Sequence, residues 1–280
     1  MKLTNTLEDL LTRPKGLGAV YFLGIGGIGM SAIVRYFLTN NIKVSGYDKT
    51  RTELCEQLEK EGAIIHYTED IKQIPADVAL VVYTPAVPKD HAELVYFQNN
   101  NFKVVKRSDV LQMISEGSFN ICTAGTHGKT TISCMIAHIL KHSGYGCNAF
   151  LGGISVNYQT NFWSSDNNTC VIEADEYDRS FLKLSPDIAI ITAMDADHLD
   201  IYGDENTMQD AFVDFGNKIK NNGLLISKFG LKRTKDIQVH RKLSYSLQND
   251  AAAIHATNIR IEEGGYEFDV NIEGSVLGNI

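Results

Sequence analysis

Apolar residues in this chain fall into short continuous blocks, separated by stretches in which they recur at helical spacing. Ala19 to Leu23 is such a block; a glycine-rich turn and a helical run through about Leu38 follow it. Ile42 to Tyr47, Ala63 to His66, Val78 to Thr84 and Val104-Val105 repeat the theme. Helical patterns over 51–61, closed by Gly62, and from His91 to Asn99 lie between them. Blocks apolar on both faces, alternating with helices, predict a parallel sheet wound by βαβ units. Lys106-Arg107-Ser108-Asp109 opens a predicted helix over 109–116, and Glu116-Gly117-Ser118 marks a boundary between two lobes. The domain change is set at about residue 107, giving domains 1–107 and 108–280.

The second half resumes the alternation. Ile121 to Ala124 runs into Gly125-Thr126-His127-Gly128-Lys129-Thr130-Thr131, and Ile132, Met135, Ile136, Ile139 and Leu140 predict an amphipathic helix to about His142. Cys170 to Glu173 and Ile188 to Thr192 are strand-like, and both lead into acids: Glu173, Asp175 and Glu176 after the first, Asp195, Asp197, His198 and Asp200 after the second. Leu224 to Ser227 is a further strand. Ile254 to Val270 alternates polar and apolar residues around Glu263-Gly264-Gly265, a hairpin signal. A short helix is expected around Leu7, Leu10 and Leu11. The fold class expected is α/β: an N-terminal Rossmann-like parallel-sheet domain, then a P-loop-type α/β domain with some antiparallel β at its end.

Two turns carry candidate chemistry. Gly24-Ile25-Gly26-Gly27-Ile28-Gly29-Met30-Ser31 is G-x-G-x-x-G between a strand and a helix, and Asp48 ends the next strand where a dinucleotide fold places its ribose-contacting acid. Thr84-Pro85 breaks the chain at a strand's carboxyl end, where open α/β sheets bind ligands; it is equally read as a plain proline turn. In the second turn Lys129 supplies a charge for terminal phosphate oxygens, and the Thr130 hydroxyl is placed to ligate magnesium. The spacing is shorter than G-x-x-x-x-G-K-[ST], because Thr123 stands where that pattern has glycine. Glu173 and His198, at or just past buried strands, are candidates to meet a metal held by Thr130. The neighbouring acids Asp175, Asp178 and Asp204 serve equally well as helix caps. His127 either donates to phosphate or fills the turn.

Composition narrows the partners. At 280 residues the chain has room for about two domains. Its 44% hydrophobic and 21% charged content, without a run of membrane-spanning length, predicts a soluble protein without an export signal. Five cysteines without C-x-x-C spacing fit a reducing cytoplasm rather than a disulfide framework or metal knuckle. A net charge of −8 argues against nucleic acid and anionic membrane as partners and leaves room for one phosphorylated small molecule. Oligomeric state is open.

The stretches GIGGIGMSA at 24–32, TAGTHGKTT at 123–131, IEADEYDRSF at 172–181 and DADHLDIYG at 195–203 closely resemble, in order and spacing, the Mur ligases of peptidoglycan synthesis, and within them the alanine-adding branch. The resemblance spans the chain. It implies an ADP-forming amide ligase in which ATP phosphorylates the lactyl carboxylate of UDP-N-acetylmuramic acid and the amine of L-alanine attacks the acyl phosphate. It implies ATP contacts from Gly125, Thr126, His127, Gly128, Lys129, Thr130 and Thr131, with Lys129 on the β/γ-phosphates. Thr130 and Glu173 would hold one Mg2+ (or Mn2+) and His198 would help hold a second; Lys129, Glu173 and His198 are the catalytic set. Gly24, Gly26, Gly27, Ile28, Gly29, Met30 and Ser31 would wrap the UDP diphosphate, with Asp48 and Thr84 lining that pocket. The family has a third domain, which this chain is expected to lack and without which it is expected not to ligate. Sister enzymes use a carbamylated lysine near the second metal, but no lysine lies between Leu199 and Asn217, which agrees with the alanine-adding branch. Two rival readings are a murein-peptide recycling ligase, which joins a tripeptide to the same sugar nucleotide, and a nicotinamide-dependent oxidoreductase or redox-sensing module built on the first turn and Asp48.

Overall fold

The computed structural model describes residues 18–262 and 264–280. The helix expected around Leu7 and the Glu263 corner of the expected hairpin lie outside them. The chain forms two compact units: the described residues up to Phe119 together with Thr130–Glu173, and Asn120–Lys129 together with Ala174–Ile280.

The first unit opens with β1 (Ala19–Leu23), buried at every position, followed by α1 (Ile28–Thr39) and β2 (Lys43–Tyr47). Next come α2 (Glu53–Glu61), β3 (Ile64–His66), β4 (Val78–Tyr83), α3 (Ala92–Asn99) and β5 (Val104–Lys106). The five strands are parallel in the order β3-β2-β1-β4-β5. The order reverses at β1, so the first glycine turn leaves the sheet beside the end of β4, at the switch point where such sheets open a crevice. Tyr21, Leu23, Val81, Leu94 and Phe97 pack one face of this sheet.

Helix α2 shows local signals cooperating: the Thr52 hydroxyl accepts from the Cys55 amide at its start, and Gly62, with φ 112°, ends it. Helix α4 (Arg107–Ser115) begins two residues earlier than expected. Asp109 is its third residue, and its carboxylate accepts from the Lys106 amide.

The remainder of the first unit holds α5 (Lys129–His142) and the strands β7 (Asn148–Ser155), β8 (Thr160–Trp163) and β9 (Thr169–Glu173), in the order β9-β7-β8. The β7–β8 antiparallel pair has no counterpart in the sequence reading, because Gly152-Gly153 interrupts the alternation of β7. Helix α5 buries Ser133 and Ala137, flanked by Ile136 and Leu140, while Met135 and Ile139 are exposed. The apolar stripe is therefore narrower than its periodicity suggested.

In the second unit β6 (Phe119–Ala124) and β11 (Leu224–Lys228) flank β10 (Ile188–Ile191), all parallel. Beyond β11 lie β12 (Arg241–Ser246), β13 (Ile254–Glu262), β14 (Gly265–Ile272) and β15 (Ser275–Leu277). The expected antiparallel hairpin is β13–β14, and β12, which begins Arg-Lys, is a parallel strand that polarity concealed. The short α6 (Leu199–Tyr202) and α7 (Glu205–Gly216) complete the unit, the latter capped by Asp204 through the Thr207 amide. Among the described residues no helix is long and apolar enough to cross a membrane.

Candidate active site

The first turn is held by backbone. The amides of Gly24 and Ile25 both donate to the Tyr47 carbonyl, at 2.9 and 3.1 Å. The Gly26 amide donates to Asp48 Oδ2 at 2.8 Å, and the Thr50 amide donates to Oδ1 at 3.1 Å. Asp48 thus braces the turn through Oδ2, while Oδ1 orders its own loop. Thr84, at the end of β4, stands beside it: a Cβ on Gly24 would fall 2.8 Å from Thr84 Cγ2. Helix α1 starts at Gly27 with no side-chain cap and no acid in its first turn, which leaves its positive end available to an anion. Ile28 is exposed, but Met30 and Ser31 are buried, and the Ser31 hydroxyl donates to the Ile28 carbonyl. The Met30 and Ser31 side chains are therefore turned into the protein, the Ser31 hydroxyl as part of the turn's own bonding.

One cation near this turn escaped the sequence reading. Arg107 Nη1 lies 2.6 Å from where a Cβ on Gly29 would be, so only a glycine lets the guanidinium pack so closely. Its position, immediately after a strand on the turn-bearing edge of the sheet, was the available signal.

The second turn follows β6. Gly125 has φ 130°, a conformation reserved for glycine, and a Cβ there would also meet Thr192 Oγ1 and the Ala193 backbone. The Thr192 hydroxyl reaches the Ala124 and His127 carbonyls, tying the turn to the end of β10. Lys129 Nζ donates to the Gly125 carbonyl at 2.8 Å and to Glu176 Oε1 at 2.7 Å. His127 is exposed, its Nε2 3.5 Å from the Asp195 carboxylate, and Thr131 is exposed as well.

The residues read as metal ligands fall into two groups. In the first unit the Thr130 hydroxyl donates to Glu173 Oε1 at 2.8 Å, and the Gly152 amide donates to Glu173 Oε2 at 2.8 Å. In the second unit His198 Nε2 lies 3.7 Å from Asp197 Oδ2 and 4.0 Å from Glu176 Oε1. Ligand atoms of Glu176, Asp197 and His198 come within 4.8 Å of one another. Glu176 is fully buried, and its Oε2 has no hydrogen-bond partner among the described residues. Burial pushes its carboxyl above the usual range, against the downward pull of Lys129. A buried, orphaned carboxylate oxygen beside an imidazole and a second carboxylate fits a divalent cation, and the hydroxyl–carboxylate pair of Thr130 and Glu173 offers the hard oxygen donors that magnesium prefers. Glu176 and Asp197 were not among the site residues read from the sequence, although both stand in the acid-rich stretches where they were to be sought.

Comparison with known proteins identifies the family. Residues 19–118 match the Mur ligase family, catalytic domain, and residues 123–278 match the Mur ligase middle domain. The chain is 51% identical over 271 residues to UDP-N-acetylmuramate--L-alanine ligase of Phocaeicola vulgatus, covering 94% of this chain and 58% of that protein. It is 50% identical over 258 residues to the enzyme of the same name from Parabacteroides distasonis, covering 90% of this chain and 56% of that one. The crystal structure of UDP-N-acetylmuramate-alanine ligase from Thermotoga maritima superposes with a TM-score of 0.81 at 26% identity, over 94% of this chain and 60% of that chain. The chain therefore spans somewhat over half the length of these relatives. Two glycine turns of different kinds, an acid-lined second site and matches across both halves of the sequence together place this chain in the Mur ligase family.

Proposed function

We propose that this chain carries the sugar-nucleotide and ATP sites of an ADP-forming ligase that joins L-alanine to UDP-N-acetylmuramic acid in peptidoglycan precursor synthesis, in the cytoplasm. The observation that carries the reading is the Thr130–Glu173 pair directly after Lys129. A Gly-Lys-Thr turn whose threonine hydroxyl meets a strand-end carboxylate is arranged for a nucleotide and its magnesium. The names of the relatives at 50 and 51% identity supply the substrates.

Residues 1–107 are read as the UDP-sugar domain and 108–280 as the ATP-binding domain. In the first, the turn Gly24 to Ser31 wraps the diphosphate and the amides of Ile28 and Gly29 at the uncapped start of α1 receive it, with Asp48, Thr84 and Arg107 around it. In the second, Gly125 to Thr131 hold the triphosphate, and Lys129 neutralises charge on the transferring phosphoryl group. Thr130 and Glu173 would hold one magnesium, and His198, with Glu176 and Asp197, a second. When bound, the cations supply charge neutralisation as the carboxylate is activated by phosphorylation. The acyl phosphate then converts a poor electrophile into one that an amine can attack.

The test, on the protein joined to the family's third domain, is phosphate release from ATP and Mg2+ that depends on UDP-N-acetylmuramate, with either L-alanine or tripeptide as acceptor. Dependence on the sugar nucleotide and on L-alanine is expected. Preference for tripeptide would move the assignment to the recycling ligase, and NADH binding without a response to the sugar nucleotide would overturn it.

A further inference from the structure

Asn161, on β8, is fully buried and lies outside every motif described above. Its carboxamide is oriented without ambiguity. The buried Arg35 guanidinium, held by a bidentate pairing with Glu61, donates through Nη1 to Asn161 Oδ1. An arginine has no acceptor, so the other end of the amide must be the nitrogen. That nitrogen donates to the Ile28 carbonyl at 2.7 Å and to Ser31 Oγ at 3.0 Å, and approaches the Leu151 carbonyl at 3.4 Å. Ser31 completes the triangle by donating to Ile28 at 2.8 Å. The first turn of α1 is therefore fastened by a side chain of β8. The partner strand of β8 is β7, whose Gly152 amide holds Glu173.

We propose that Asn161 is a positioning residue: it fixes the anion-receiving start of α1 against the β7–β8 hairpin, and so sets the geometry in which the first glycine turn takes the diphosphate of a sugar nucleotide. The ligand half of this inference rests on the proposed function; the positioning half does not. With the Asn161 donor removed, the Ile28 carbonyl keeps the Ser31 hydroxyl, but Ser31 Oγ loses its buried donor and the start of α1 loses its tie to β8, so the turn must shift or admit water. The spacing of the amides around an anion changes with it. The second glycine turn is held by its own bonds, to Thr192, Ala193 and Glu176.

Asn161→Asp separates the roles of the two ends of the amide, since it keeps the size and the oxygen facing Arg35 but replaces the donor with an acceptor. Asn161→Ala removes both ends without repulsion and serves where the aspartate variant folds poorly. Hydrogen exchange on this chain is expected to accelerate at least tenfold at the amides of Met30 and Ser31 in either variant, with Thr126 to Thr131 unchanged. Titration calorimetry is expected to show affinity for UDP-N-acetylmuramate falling at least tenfold while affinity for Mg-ATP is unchanged. Unaltered exchange in the first turn of α1, or an equal loss of both affinities, overturns the positioning role. Faster exchange in a protein whose wild type does not bind UDP-N-acetylmuramate upholds the positioning and removes the proposed ligand.

Discussion

Lys129 Nζ stands 2.7 Å from a carboxylate oxygen of Glu176, a side chain with no solvent exposure. The lysine thus neutralises a buried acid while also holding the Gly125 carbonyl, and it keeps one further hydrogen to donate. Removing one partner of such a pair leaves an uncompensated buried charge, a loss of about 3–5 kcal/mol. In the protein joined to the family's third domain, Lys129→Met is expected to abolish phosphate release, a fall of at least about 10²–10³ in rate for the loss of one charge-stabilising donor, and in this chain to lower the unfolding midpoint as well. Near-normal turnover would remove Lys129 from the phosphoryl site.

The same pair has a pH signature. Burial raises the Glu176 carboxyl above its ordinary value, so the folded protein holds that proton more tightly than the unfolded chain does. Stability from this group is present below the unfolded pKa and is lost as pH rises toward and through the folded value. Without Lys129 the folded value climbs further and the window widens upward. Denaturant melts of the wild type and Lys129→Met are therefore expected to differ more at pH 8 than at pH 5. A difference independent of pH would mean that Glu176 does not titrate across this window.

Glu176, Asp197 and His198 predict a cation site that can be read without turnover. Manganese titration followed by electron paramagnetic resonance is expected to show weaker binding in Glu176→Gln and Asp197→Asn. The loss expected is at least about tenfold, on the scale of perturbing a metal's supporting shell. Unchanged manganese affinity in both variants would leave the cluster as a plain ion-pair network.

Gly152 is a sharper probe of the Thr130–Glu173 pair than either ligand. A Cβ there would sit 2.5 Å from Glu173 Oε1 and 2.6 Å from Cδ, so alanine must push the carboxylate off both Thr130 and its own amide. The backbone of Gly152 is otherwise ordinary, and alanine is conformationally acceptable. Gly152→Ala is expected to weaken Mg-ATP binding by about tenfold, the order of one charge-assisted hydrogen bond, with UDP-N-acetylmuramate binding retained. Retained Mg-ATP affinity would place the nucleotide's magnesium elsewhere.

The elements most legible in the sequence were those whose residues answer to local rules. Buried parallel strands show as unbroken apolar runs, so β1, β4 and β10 were plain, and Asp204 announced the start of α7. Strands β7 and β12 were not, because Gly152-Gly153 and Arg241-Lys242 break the pattern for reasons of tertiary contact. Motif and strand end suggested that Glu173 and His198 both meet Thr130; Glu173 bonds to it, whereas His198 lies beside Glu176 and Asp197. The partnership of Lys129 with Glu176, the packing of Arg107 on Gly29 and the reach of Asn161 to Ile28 are long-range contacts, and no spacing along the chain encodes them.

The segment behind Glu176 supplies the last prediction. Asp178 and Arg179 occupy consecutive left-handed conformations, φ 53° and 54°, inside the 3-10 stretch Tyr177–Lys183. Neither is glycine, and each such position costs on the order of 1–3 kcal/mol unless its surroundings enforce it. Here the enforcement is visible. Phe181 is buried between Phe215, stacked at 5.1 Å, and Phe212, edge-on at 5.4 Å, both from α7. The Tyr202 hydroxyl donates to the Glu176 carbonyl at 2.6 Å while Arg179 lies over the same ring. Phe215→Ala removes the stacked wall, a loss of about 3–5 kcal/mol for a buried phenylalanine, and frees the strained pair to relax. Because Glu176 immediately precedes this stretch, the variant is expected to lose manganese affinity along with stability. Phe22→Ala, buried in β1 of the other unit, is expected to lose stability on the same scale and keep its manganese affinity. Equal manganese affinity in the two variants would show that the aromatic stack supports the fold without holding Glu176 in place.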